Sequence, residues 1–120
     1  MNSVKKSGKK VLSISLDPML LETRKRIIEQ AIPNCQVVSA SNYSEIEAAC
    51  KSNQFALVII GHTLPAPEKL RVFGKIKELQ PRAKVLELHL TSGPVTQAVL
   101  TLDAALGPQA LSDRMVDMLM

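Results

Sequence analysis

The chain has 120 residues, 46% of them hydrophobic, and a formal net charge of +4. That length suits one domain burying roughly two thirds of the surface its unfolded chain would expose, and no apolar run approaches the roughly 18 residues of a membrane span. Lys5, Lys6, Lys9 and Lys10 account for the whole charge excess, because basic and acidic side chains balance from residue 11 onward; with no aromatic residue beside them they offer nucleic acid neither a stacking platform nor a base reader.

Residues 1–8 therefore read as a basic, disordered tail and residues 9–120 as the folded domain. The polar, basic start has no apolar segment after it, so no secretory signal is expected and the cytoplasm is the expected compartment. Cys35 and Cys50 lack metal-ligand spacing and a histidine pair nearby, which points to reduced thiols, with no metal and no cofactor.

Lys9–Leu16, KKVLSISL, predicts a first strand. Asp17 followed by Pro18 is a helix start, an acidic cap before a proline in the first turn. Met19, Leu20, Arg24, Ile27, Ile28 and Ala31 follow at helical spacing, and Pro33 stops the helix near Ile32. Cys35–Ser39 predicts a second strand. Asn42 with Glu45 resembles a capping box for a helix that buries Ile46, Ala48 and Ala49.

Phe55–Pro65, FALVIIGHTLP, is the central stretch. Its run Leu57–Ile60 is apolar and largely β-branched, as in a parallel strand covered on both faces. In open α/β sheets, ligands meet the loops at the carboxyl ends of the strands, which here are Gly61, His62, Thr63 and Leu64. A third helix is predicted from Ala66 to Leu79, ended by Gln80 and Pro81, with Leu70, Phe73 and Ile76 along it.

Val85–Leu90 alternates apolar and polar side chains, which predicts a fourth strand less deeply buried than the third. Thr91–Pro94 breaks the chain, and residues 95–102 suit either one short helix or an irregular crossing. Ala104–Leu106 is the expected fifth strand, and Pro108–Met120 a last helix with Leu111, Met115, Met118 and Leu119 inward. Alternating strands and helices predict a doubly wound, five-stranded parallel sheet.

With VLSISLDPMLL at its start and FALVIIGHTLP in its middle, the chain resembles the receiver domains of two-component response regulators. The resemblance implies the flavodoxin-like (βα)5 fold with strand order 2-1-3-4-5 and a shortened fourth-helix region. It lays the family's magnesium-binding acidic pair on Ser15 and Leu16, just before Asp17, and its phosphoacceptor aspartate on Gly61, with Pro65 matching the proline four residues on. The family's Ser or Thr after the fourth strand falls on His89 or Thr91, and its Lys-Pro on Gly107-Pro108, a bond expected to be cis.

Glycine supplies neither a nucleophile nor a charge, so the resemblance carries the fold without the aspartyl phosphorylation. Ser15, Leu16, Asp17, Gly61, His62, His89, Thr91 and Gly107 would form a degenerate rim, and no catalytic residue is expected. The implied function is a stand-alone, phosphorylation-independent interaction module of bacterial two-component signalling. Its partner would be a kinase, a scaffold or another regulator, or a second copy in a homodimer. Val95, Val99, Leu111, Met115 and Met118 are the expected contact residues. The alternative is a sensor binding a small ligand or anion at the vacant rim.

Overall fold

The computed structural model describes residues 8–90, 93–96, 98 and 100–120; the expected tail, Thr91 and Val99 lie largely or wholly outside them. The strands are β1 (Lys10–Ile14), β2 (Gln36–Ala40), β3 (Leu57–Ile60), β4 (Lys84–His89) and β5 (Leu100–Asp103), interleaved with the helices α1 (Pro18–Ala31), α2 (Tyr43–Ser52), α3 (Ala66–Leu79) and α4 (Pro108–Leu119). All strand pairs are parallel, in the order β2-β1-β3-β4-β5.

All four residues of β3 are fully buried, since its side chains alternate between two cores. On one face, Leu12, Ile14, Val58 and Ile60 meet Ile46 and Cys50 of α2 and Val72 and Ile76 of α3. On the other, Val11, Leu57, Ile59 and Leu86 meet Ile28 of α1 and Leu111, Met115 and Leu119 of α4. A single sheet thus places the carboxyl ends of β1 and β3 side by side, with Ile14 opposite Ile60.

Local chemistry sets the helix starts. Asp17 Oδ1 accepts hydrogen bonds from the Met19 and Leu20 amides, satisfying N–H groups left free in a first turn. Asn42 Oδ1 accepts from the Glu45 amide while Glu45 reaches back to the Ser41 amide, a capping box displaced by one residue. Gln80 is buried and ties three elements together, accepting from the Phe55 amide and donating to the carbonyls of Cys50 and Asn53.

Several expectations are corrected. β4 is less completely buried than β3, as expected, with Lys84 and His89 open at its ends, but Glu87 is buried against the alternation, because it finds partners that residue types do not reveal. β5 runs over Leu100–Asp103, and Ala104–Leu106 forms a 3-10 turn. No helix lies between β4 and β5 among the described residues. Met19, Ala48 and Leu70 are exposed, while Leu21, Cys50, Lys69 and Val72 fill their helices' inner faces instead.

The Gly107–Pro108 bond is trans. Gly107 redirects the chain into α4 through φ of 88°, a left-handed value open to glycine at little cost.

Candidate functional site

The carboxyl ends of β1 and β3 bring Ser15, Gly61 and Thr63 together. Ser15 Oγ and Thr63 Oγ1 are 2.8 Å apart in a shared hydrogen bond. Thr63 Oγ1 also accepts from the Leu16 amide, and Ser15 Oγ from the Asp17 amide. These hydroxyls staple the β1–α1 turn to the loop after β3, so they are committed to holding the backbone.

Gly61 sits where β1 and β3 approach too closely for a side chain. Its amide donates to the Ile14 carbonyl at 2.9 Å. A Cβ at this position would collide with that same carbonyl oxygen and come within 3.0 Å of Arg24 Nη1. The space that a side chain at residue 61 would enter is taken by the Arg24 guanidinium, which α1 sends across from its second turn.

Arg24 is 6% exposed. Its Nη2 donates to His62 Nδ1 at 3.0 Å, and its Nη1 has no partner among the described residues. Burial lowers the guanidinium's pKa, opposed by the negative charge of Asp17, yet an arginine keeps its proton in any protein setting. Because a guanidinium can only donate, the His62 ring accepts at Nδ1 and carries its proton on Nε2. Burial, then the charges of Arg24 and Lys69, pull the His62 pKa below its ordinary value, which keeps the ring neutral.

A divalent cation does not fit this rim. Leu16 points outward at 54% exposure and offers no donor, Asp17 Oδ1 is engaged by two amides, and the nearest charge to Gly61 is a buried cation. Among the described residues no cluster of three or more His, Cys, Asp or Glu side chains could hold a metal.

The other expected rim residues stand apart. His89 Nδ1 pairs with the Leu90 carbonyl and His89 lies in register with Asp103 of β5. Asp103, rather than Gly107, ends β5, because the strand comes earlier than its sequence pattern predicts; Gly107 instead lines an apolar cavity between α1 and α4. Leu111 and Met115 are core residues and Met118 is half-buried, so of the expected contact residues Val95, at 37%, is the most exposed one described.

Beside the rim lies a polar cluster that sequence reading missed. Lys69 Nζ donates to Glu87 Oε2 at 3.0 Å and to the Leu88 carbonyl at 2.7 Å, both side chains being buried. Glu87 Oε2 also accepts from the Val95 amide, and Oε1 from the amide and hydroxyl of Thr96. Burial alone would raise the Glu87 pKa, but the hydrogen bonds from Thr96, Val95 and Lys69 overcome it and bring it down to about 2. The signal for Lys69 was its spacing, three and seven residues before the core positions Val72 and Ile76.

By sequence, no family model and no curated protein matches the chain. Solved structures do match in shape. The chemotaxis protein CheY4 of Vibrio cholerae superposes with a TM-score of 0.78 at 16% identity, over 94% of this chain and 100% of that one. The response regulator TrrA of Thermotoga maritima, in complex with magnesium and a beryllium fluoride, gives 0.76 at 20% identity, over 92% and 99%. The same regulator in complex with the histidine kinase ThkA gives 0.70 at 22% identity, over 93% and 99%. With its order β2-β1-β3-β4-β5 and these neighbours, the chain has the fold of the CheY-like receiver domains of response regulators.

Proposed function

We propose that this chain is a degenerate receiver domain that serves two-component signalling as an interaction module, independently of phosphorylation and without enzymatic activity. The observation that carries this reading is the Arg24 guanidinium beside Gly61. Phosphoryl transfer to a receiver needs a carboxylate nucleophile and a cation held by carboxylates, whereas this site combines a glycine that tolerates no side chain with a buried positive charge.

The surface around the site supports the interaction role. Leu16, Met19, Leu90, Val95 and Leu106 are exposed, and each follows the carboxyl end of a strand. A rim of leucine, methionine and valine suits contact with another protein. The partner class is a histidine kinase, a scaffold or another regulator, in keeping with the complex that TrrA forms with its kinase; a homodimer through the rim is the simplest self-association. Among the described residues no helix is long and apolar enough to cross a membrane, which accords with a cytoplasmic place of action.

The test joins two measurements. The chain is incubated with acetyl phosphate and magnesium, and an acid-stable, hydroxylamine-labile acyl phosphate is sought by intact-mass analysis; none is expected. Cross-linking in native lysate then uses the whole chain and a chain lacking residues 1–10 as baits. Recovery of a signalling kinase or regulator with both baits, lost in Leu16→Glu/Leu106→Glu, supports the module. An acyl phosphate, or recovery only of nucleic acid and only with the intact tail, overturns it.

A further inference from the structure

The sheet is short of cover at one corner. The first three connections between strands each carry a helix, whereas none lies between β4 and β5 among the described residues, and a parallel sheet is ordinarily covered on both faces. The β4–β5 register begins with Leu86 opposite Leu100, so Lys84 and Val85 extend past the start of β5. A groove of about 810 Å³ opens there, between the carboxyl-terminal halves of α3 and α4. Phe73, Val85, Leu100 and Met118 give it an apolar lining.

The charges along the groove are unequal on its two sides. Lys77 of α3 and Lys84 of β4 are exposed on one side, while Arg114 and Asp117 of α4 offset each other on the other. None of these three cations makes a salt bridge among the described residues. Lys84 Nζ donates to the Met118 carbonyl at 3.1 Å, which uses one of the three N–H groups of an ammonium. Lys9, Lys10 and Arg82 line the next cleft at this same end of the sheet, so the positive field continues beyond the groove.

We propose that this groove docks an amphipathic helix of a partner protein, its apolar stripe against Phe73, Val85, Leu100 and Met118 and an acidic flank turned toward Lys77 and Lys84. A helix about 10–12 Å across that rises about 1.5 Å per residue fills roughly 140 Å³ per residue, so the groove takes the inward half of about three turns. Such a stripe supplies the apolar cover that the β4–β5 connection does not, and the lysines select acidic over basic sequences. The groove lies at the amino ends of the strands, opposite the rim proposed for partner contact, and does not depend on that reading.

The test uses the full chain and a dye-labelled, helix-stapled peptide of about three turns, with leucines at i, i+3, i+4 and i+7 and glutamates along one flank. Saturable binding is expected by fluorescence anisotropy, weakening as salt rises, with NMR shifts at Phe73, Val85, Leu100 and Met118. A counterpart with lysine in place of glutamate is expected to bind at least about tenfold more weakly, and one with serine in place of leucine not at all. Lys77→Glu/Lys84→Glu is expected to reverse the preference between the acidic and basic peptides, while Leu16→Glu/Leu106→Glu leaves binding unchanged. Equal affinity for the acidic and basic peptides, shifts confined to other residues, or a preference that survives in the folded Lys77→Glu/Lys84→Glu chain overturns the proposal. Displacement of the acidic peptide by duplex DNA or by phosphatidylglycerol vesicles, at lower concentration than by unlabelled peptide, also overturns it, in favour of a general polyanion surface.

Discussion

Gly61 is the residue whose replacement tests the site's geometry most directly. A methyl group there meets backbone, the Ile14 carbonyl, rather than the flexible end of a side chain, so relief requires the β1 and β3 ends to part. Gly61→Ala is expected to cost about 1–3 kcal/mol, the usual range for overpacking, read as a lowered urea midpoint with an unchanged slope. Gly74, inside α3, has open space around its would-be Cβ; Gly74→Ala is expected to raise stability by about 0.5–1 kcal/mol in the same measurement. His62 supplies a pH test. Its folded-state pKa lies below the ordinary 6.5, through burial and the Arg24 charge, so the unfolded chain takes up a proton more readily. The stability this group contributes is complete above pH 6.5 and falls as pH drops through that value. His62→Asn, which can still accept from Arg24, is expected to flatten this part of the pH–stability curve.

At the scale of elements, the Lys69–Glu87 pair clasps α3 to β4 and, through Val95 and Thr96, fixes the segment that leads toward β5. Removing one partner strands the other charge in the core, so Lys69→Met is expected to cost about 3–5 kcal/mol, and Lys69→Met/Glu87→Leu less than the sum of the single changes. Glu87, at about 2 against an ordinary 4.5, contributes stability that is present above pH 4.5 and lost as pH falls toward 2. The Val95 and Thr96 amide shifts should report that loss in the wild-type chain. This clasp also marks how far the sequence was legible. β1, β2, β3 and the helix caps followed from β-branched runs and from Asp17-Pro18 and Asn42-Glu45, all local signals. Glu87 reads as a solvent-facing position of an alternating strand, and only the fold brings Lys69, 18 residues earlier, to meet it. The placement of β5 failed similarly, because Leu100–Asp103 is a strand by virtue of pairing with Leu86–His89, whereas Ala104–Leu106 has the apolar run without the partner. Arg24 stood among the residues at helical spacing, but as a charged side chain it gave no sign of burial, and its reach to Gly61 depends on two strand ends meeting.

Taken whole, the molecule is a five-stranded sheet with unequal support from centre to edge. β1 and β3 are paired on both sides and covered on both faces, whereas β5 pairs with β4 alone and buries only Leu102 fully. No helix flanks β5 from the preceding connection among the described residues, so on one face its cover is thin, and a groove lined by Phe73, Val85, Leu100 and Met118 runs beside it. Local opening free energies follow buried apolar contact and backbone pairing. Native-state hydrogen exchange is therefore expected to grade across the sheet. Amides of Val58, Ile59 and Ile60 should exchange only through global unfolding, with protection that falls with urea at the full equilibrium slope, while those of Thr101 and Leu102 should exchange through smaller openings nearly insensitive to low urea. Because Leu102 and Leu111 line the same cavity as Arg24, opening of this edge would also admit solvent beside the buried guanidinium. Lys69→Met, which loosens the connection into β5, should thus lower protection at Thr101 and Leu102 by more than it does at Val58–Ile60; equal losses at both would show that edge and centre open as one unit.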